Sequence, residues 1–221
     1  MRVAKGARCR RGMVGRILQS DSCMAEGAAW LAAAEPRFAT ALEHTGVPPL
    51  RRRDDGFAAL LSAIVSQQVS VAAARAIWAR MEAAELVTPG AVAAADEAAL
   101  RAAGLSRQKI RYARALSEAG IDFDALRRMP DADVVDRLVV VPGIGRWTAE
   151  IYAMFSLGRA DVFAPADLAL QEAARALFDL PARPREAALR QMAEAWSPWR
   201  TVAAGTLWAY YRVIKEREGV A

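Results

Sequence analysis

The chain has 221 residues, 54% hydrophobic and 25% charged, which is apolar enough for one sizeable core or two small lobes and too apolar for a disordered protein. The net charge of +5 favours a polyanionic partner, and no apolar run reaches the length that crosses a bilayer, so no membrane partner is expected. Two cysteines, Cys9 and Cys23, and one histidine, His44, are too few for a zinc site or an iron–sulfur cluster, so no cofactor of either kind is expected.

The opening MRVAKGARCRRGMVGRIL is basic but has no apolar run with a small-residue cleavage site behind it. It does not read as a secretory signal, and a cytoplasmic protein is expected. Residues 1–23 are expected to form a basic tail, disordered or lying ahead of a truer start at Met13 or Met24, with the core over 24–221. From there apolar residues recur at helical spacing, while alternating β-branched runs are almost absent, which predicts an all-α fold. Helices are expected at 24–33, 37–44, 57–66, 70–82, 96–103, 106–118 and 122–128, then at 132–138, 146–157, 167–178, 185–195 and 198–215. Ser70, Ser106, Asp122, Asp131 and Asp167 stand where N-caps belong, and Gly104, Gly120 and Gly158 where helices stop. The stretch PPLRRRDDG at 48–56 is the best place for the chain to cross between lobes. One lobe is expected over about 57–160, the other from the N- and C-terminal helices.

The 132–138 helix runs through Val-Pro-Gly-Ile-Gly into the helix that begins near Arg146, a helix-hairpin-helix. Glycine at 143 and 145 leaves backbone amides uncovered, and together with the positive end of the following helix these make an anion cradle for a nucleic-acid phosphate. Ile144 can plug the hairpin into the core and hold its amides outward, and the Thr148 hydroxyl can reach a phosphate. Asp167 lies 22 residues beyond Gly145, after Pro165 and ahead of an apolar-periodic helix. It reads as an N-cap, and a carboxylate oriented and kept ionised by helix amides can also face a developing cation.

Together VPGIGRWTAEIYA, DVFAPADLALQ and WSPWRTVAAGTLWAYYR resemble the helix-hairpin-helix DNA glycosylases, and within them the DNA-3-methyladenine glycosylase II family. FAALLSAIVSQQVSVAAA and GLSRQKIRYARALSEAG extend the resemblance over about 57–215. It implies a two-lobed helical fold with the active-site cleft between lobes, and a monofunctional enzyme that flips alkylated bases out of double-stranded damaged DNA and hydrolyses the N-glycosidic bond. A monomer is expected. The family's catalytic aspartate falls on Asp167, and its phosphate-binding hairpin on 141–148, with Gly143, Ile144, Gly145, Arg146 and Thr148 as contacts. Trp147 and Trp208 match walls that meet a cationic base through their ring faces, with Tyr152 a weaker candidate. Trp147 also stands where the strand-cutting branch has its lysine, so Schiff-base chemistry is not expected from that position. Gln68, with Gln67 beside it, falls where the family fills the gap left by the extruded nucleotide, although an apolar wedge is the more expected type. Arg107, Lys109 and Arg111 are expected to attract the DNA backbone, or simply to form a solvated face. The carbonyls of Val139, Val141 and Ile144 are the place for a monovalent cation, should the hairpin hold one. Two other readings stay open: a glycosylase for a neutral deaminated or oxidised base or a mismatch, and a noncatalytic DNA-binding module.

Overall fold

The computed structural model describes residues 14–217 and 219. The expectations that concern residues 1–13, Cys9 and a start at Met13 among them, lie outside these residues. The helices, in chain order, are α1 (Asp21–Ala34), α2 (Pro36–Thr45), α3 (Phe57–Ser66), α4 (Val71–Ala83), α5 (Pro89–Ala94), α6 (Glu97–Ala102), α7 (Arg107–Glu118) and α8 (Phe123–Arg128). There follow α9 (Asp131–Val139), α10 (Arg146–Phe155), α11 (Leu168–Leu177), α12 (Glu186–Ala193) and α13 (Arg200–Arg217), with a single 3-10 turn at Glu194–Trp196. Among the described residues the only β-type pairing is an isolated antiparallel bridge between Ile17 and Arg159, so the fold is all-α as expected. No helix among the described residues is long and apolar enough to cross a membrane.

Side-chain caps set most of the boundaries. Ser70, Ser106 and Asp122 accept the backbone N–H groups of Ala73, Lys109 and Ala125, and each helix begins one residue later. Asp131 differs from expectation, because Pro130 occupies the cap position and Asp131 is the first helical residue. Helix α5 is absent from the sequence reading: its PGAVAA offers one buried anchor, Val92, in a run of alanines and glycine, and what starts it is Pro89 behind a Thr88 cap.

The chain divides into two compact units, one being Arg53–Tyr152 and the other the residues before and after it. The first division falls inside the 48–56 stretch; the second falls within α10 rather than near 160. Met154 and Phe155 explain this, since their side chains line a common pocket with Leu18 and Met24.

In the discontinuous unit α13 lies against α1, α2 and α11. An aromatic cluster fills the interior: the Trp196 ring meets Phe38 and Phe163 edge-on, each at 5.3 Å, and stacks on Phe178 at 5.7 Å. Trp196 and Trp199 are both buried, as expected of WSPW. Residues 16–23 belong to this fold and not to a tail: Leu18 is 1% exposed, its N–H donates to Gly158 O at 2.7 Å, and Ala160 N–H donates to Arg16 O at 2.9 Å. The segment after α10 is fastened to the start of α13. Arg200 grips Asp161 through Nε at 2.7 Å and Nη2 at 2.9 Å, and the Thr201 hydroxyl oxygen lies 2.6 Å from Arg159 O.

In the continuous unit α3 packs against α4 and α7, and α5 against α7. Leu60, Leu61, Ile64, Met81, Leu100 and Leu138 are wholly buried there. Asp55 pairs with Arg127 through two bonds of 2.6 and 2.9 Å.

Phe38 is wholly buried and touches both Trp196 and Phe178. Truncation in Phe38→Ala is expected to cost about 3–5 kcal/mol of stability, visible as a lowered urea midpoint with an unchanged slope.

Candidate active site and nucleic-acid interface

The hairpin between α9 and α10 is built by three backbone bonds. Val141 N–H donates to Leu138 O at 3.1 Å, Ile144 N–H to Val141 O at 3.0 Å, and Ala149 N–H to Gly145 O at 3.0 Å. Ile144 is 3% exposed and plugs the turn into the core as expected. Its own amide, however, is committed to Val141, and α10 begins at Arg146, whose first-turn amides lie ahead of the first ladder bond, Ala149 N–H to Gly145 O. Gly143 has φ +94°, and a Cβ there would lie 2.4 Å from Tyr112 Cγ, so both conformation and space demand glycine. Gly145 meets neither restriction; it is exposed with open space around it.

The surrounding residues sort into two groups. Trp147 is 44% exposed and Arg146 half exposed, the latter with Nη2 3.4 Å from Asp136 Oδ1. Gln68 is exposed with φ +55°, and Arg107 and Arg111 face solvent on α7. Others turn inward. Gln67 Nε2 donates to Gly143 O at 2.9 Å and so braces the hairpin. Lys109 Nζ donates to Val65 O at 2.7 Å, and burial lowers its pKa, so it works as a tie within the unit rather than as an open cation for DNA. Thr148 is 8% exposed, leaving little of its side chain at the surface. Tyr152, expected as a pocket wall, is 5% exposed and its hydroxyl accepts Gly56 N–H at 2.8 Å, fixing the start of α3. Of the three carbonyls considered for a cation, that of Val141 already accepts one N–H, which leaves it one lone pair.

The carboxylate stands in the discontinuous unit. Asp167 N–H donates to Ala164 O at 3.0 Å, closing the turn before α11, and the buried Gln171 holds that turn by donating Nε2 to Pro165 O at 2.8 Å. Asp167 is half-buried and caps α11: Oδ1 accepts from Ala169 N–H at 2.9 Å and Leu170 N–H at 3.1 Å. Trp208, on α13, donates its indole Nε1–H to the same oxygen at 3.2 Å. The Trp208 ring lies 5.6 Å from that of Phe155 at a 33° tilt. Sequence reasoning missed Phe155 and Leu168; the signal for Leu168 was an apolar residue at the first helical position, and it is 61% exposed beside the carboxylate.

Residues 61–198 match the HhH-GPD superfamily of base excision DNA repair proteins, and the chain belongs to that superfamily. Within it the chain falls among the DNA-3-methyladenine glycosylases. It is 34% identical over 158 residues to DNA-3-methyladenine glycosylase 1 of Schizosaccharomyces pombe, covering 67% of this chain and 69% of that one. It is 31% identical over 170 residues to DNA-3-methyladenine glycosylase 2 of Escherichia coli, covering 70% and 57%. Among solved structures, a DNA-3-methyladenine glycosidase from Bacillus halodurans superposes with a TM-score of 0.80 at 34% identity, over 91% of this chain and 94% of that one. The Schizosaccharomyces pombe enzyme in complex with abasic DNA superposes at 0.71 with 29% identity, over 83% and 95%.

Two predictions follow from the geometry. Gly143→Ala is expected to destabilise the protein by about 1–3 kcal/mol, whereas Gly145→Ala leaves the melting temperature in place; thermal melts of the two variants side by side check this. Burial pushes the Tyr152 hydroxyl up to about 12, against about 10 in the unfolded chain. The unfolded state therefore loses its proton first, and Tyr152 contributes a stability that is whole below about pH 10 and lost as pH rises toward 12. The stability gap between the native protein and Tyr152→Phe is expected to narrow over that window in urea titrations.

Proposed function

We propose that this chain is a monofunctional DNA glycosylase that flips alkylated bases of the 3-methyladenine and 7-methylguanine type out of duplex DNA and hydrolyses their N-glycosidic bond, leaving an abasic site. The observation that carries the reading is a half-buried carboxylate, Asp167, pinned by two helix amides and an indole N–H in a chain of the DNA-3-methyladenine glycosylase family.

The chemistry balances with water alone. The bond from C1′ to the base nitrogen breaks and its electron pair leaves with the base, which departs neutral because alkylation had made it cationic. The sugar gains oxocarbenium character, which the negative Asp167 stabilises while also orienting the attacking water. Water oxygen then bonds C1′, and the surplus proton passes to the carboxylate or to solvent. No organic cofactor, iron–sulfur cluster or zinc enters this sequence of steps.

Recognition divides among the groups already placed. The amides of Arg146, Trp147 and Thr148 receive a strand phosphate at the start of α10, and Arg107, Arg111 and Arg146 add backbone attraction. A monovalent cation held by the carbonyls of Val139, Val141 and Ile144 would add to that grip, since neutral oxygen donors suit such an ion. Gln68 stands at an exposed turn where it can fill the gap left by the flipped nucleotide, whose unstacking costs about a few kcal/mol. Trp147, exposed in one unit, and Trp208, part-buried in the other, each carry a ring of the type that meets a cationic purine through its face, with about 0.5–2 kcal/mol for such a contact. Trp147 offers no amine for Schiff-base formation, so the enzyme releases the base without cutting the strand from that position. The enzyme acts as a monomer in the cytoplasm.

The test is base release from methylated duplex DNA, read as alkali-labile abasic sites. The wild-type protein is expected to produce them, with methylpurines released far faster than hypoxanthine or uracil; preference for the neutral bases would overturn the substrate assignment. Asp167→Asn is expected to lose about a hundredfold or more of the single-turnover rate while holding abasic DNA as tightly as before. Undiminished release by that variant would remove the carboxylate from the mechanism.

A further inference from the structure

We infer that the indole N–H of Trp208 is a positioning group for the Asp167 carboxylate, a role separate from any contact its ring makes with a base. The inference rests on the function proposed above and deepens it. Two donors on Asp167 Oδ1, the amides of Ala169 and Leu170, are what any aspartate N-cap receives. The indole N–H of Trp208 is not required by capping. It arrives from α13, 41 residues along the chain, at 3.2 Å.

Its effect is geometric and electrostatic. A carboxylate held only by the amides of its own helix can still rotate about its last side-chain bond and exchange its two oxygens. A donor from a separate helix, converging on the same oxygen, removes that freedom and so fixes where Oδ2 points. The bond is also charge-assisted, and such bonds are stronger than those between neutral groups. Trp208 is itself held: it is part-buried and lies against Phe155. The donor is therefore in place before the sugar becomes cationic, and no reorganisation is needed at that moment. If Trp208 served only as an aromatic surface, phenylalanine would do nearly as well; nothing in a stacking role requires the ring nitrogen.

The experiment separates the nitrogen from the ring. Trp208→Phe keeps an aromatic face and removes the N–H; replacement of Trp208 by benzothienylalanine keeps the size and shape of indole with sulfur in place of N–H, and carries the test if the phenylalanine variant fails to fold. Single-turnover release of 7-methylguanine is expected to fall about tenfold in both, the usual scale for losing one bond to a charged group, with affinity for abasic duplex within about twofold of wild type. In the Asp167→Asn background the benzothienylalanine replacement, which keeps the ring face, is expected to change any residual rate by less than about twofold, since a group acting through the carboxylate has nothing left to position. Full activity of the benzothienylalanine protein, or a tenfold loss that persists without the carboxylate, overturns the inference. The outcomes keep the two readings apart: a fully active Asp167→Asn defeats the proposed mechanism itself, while an inactive Asp167→Asn beside a fully active isostere defeats only the positioning role.

Discussion

A carboxylate that is to face a cation for the lifetime of a transition state has to stay put and stay near the surface. The start of α11 meets both demands with one side chain. Two helix amides and the indole N–H of Trp208 converge on one oxygen of Asp167, and half-burial leaves it reachable. Capping, usually a contribution to stability alone, here also sets the orientation of the carboxylate.

The supports of that carboxylate extend well beyond it. Gln171 shapes the turn through Pro165, and Arg200 with Thr201 fastens the segment after α10 to the base of the helix that carries Trp208. The hairpin has a comparable set of braces in the other unit: Gln67 on the Gly143 carbonyl, Ile144 in the core, and Tyr112 filling the space a Cβ would need. In both units a side chain from a helix far along the chain, Arg200 in one and Tyr112 in the other, holds or fills a short loop.

Much of this was legible from residue types. Helical periodicity and cap residues place twelve of the helices close to where they stand, because serine and aspartate caps act locally. Helix α5 escaped because alanine carries no periodic signal, and the docking of Leu18 escaped because its bonds go to residues such as Gly158, far along the chain. The same limit applies at the site. Local sequence marks Asp167 as a helix cap and the glycine turn as a hairpin, since both are set by neighbouring residues. It could not show that Lys109 turns in to Val65, that Tyr152 caps α3 through Gly56, or that Trp208 reaches Asp167, since each is decided by how separate helices pack.

The discontinuity of one unit bears on the order in which the molecule is made. Arg53–Tyr152 is a single uninterrupted stretch and can collapse as soon as it emerges from the ribosome. Helices α1 and α2, synthesised earlier, must wait through all of it for α11 and α13, whose apolar faces complete their core. Through that interval α1 and α2 have only each other to pack against within their unit. Because Asp167 precedes α11 and its indole partner lies on α13, the carboxylate acquires that donor only after the whole of Arg53–Tyr152 has been translated.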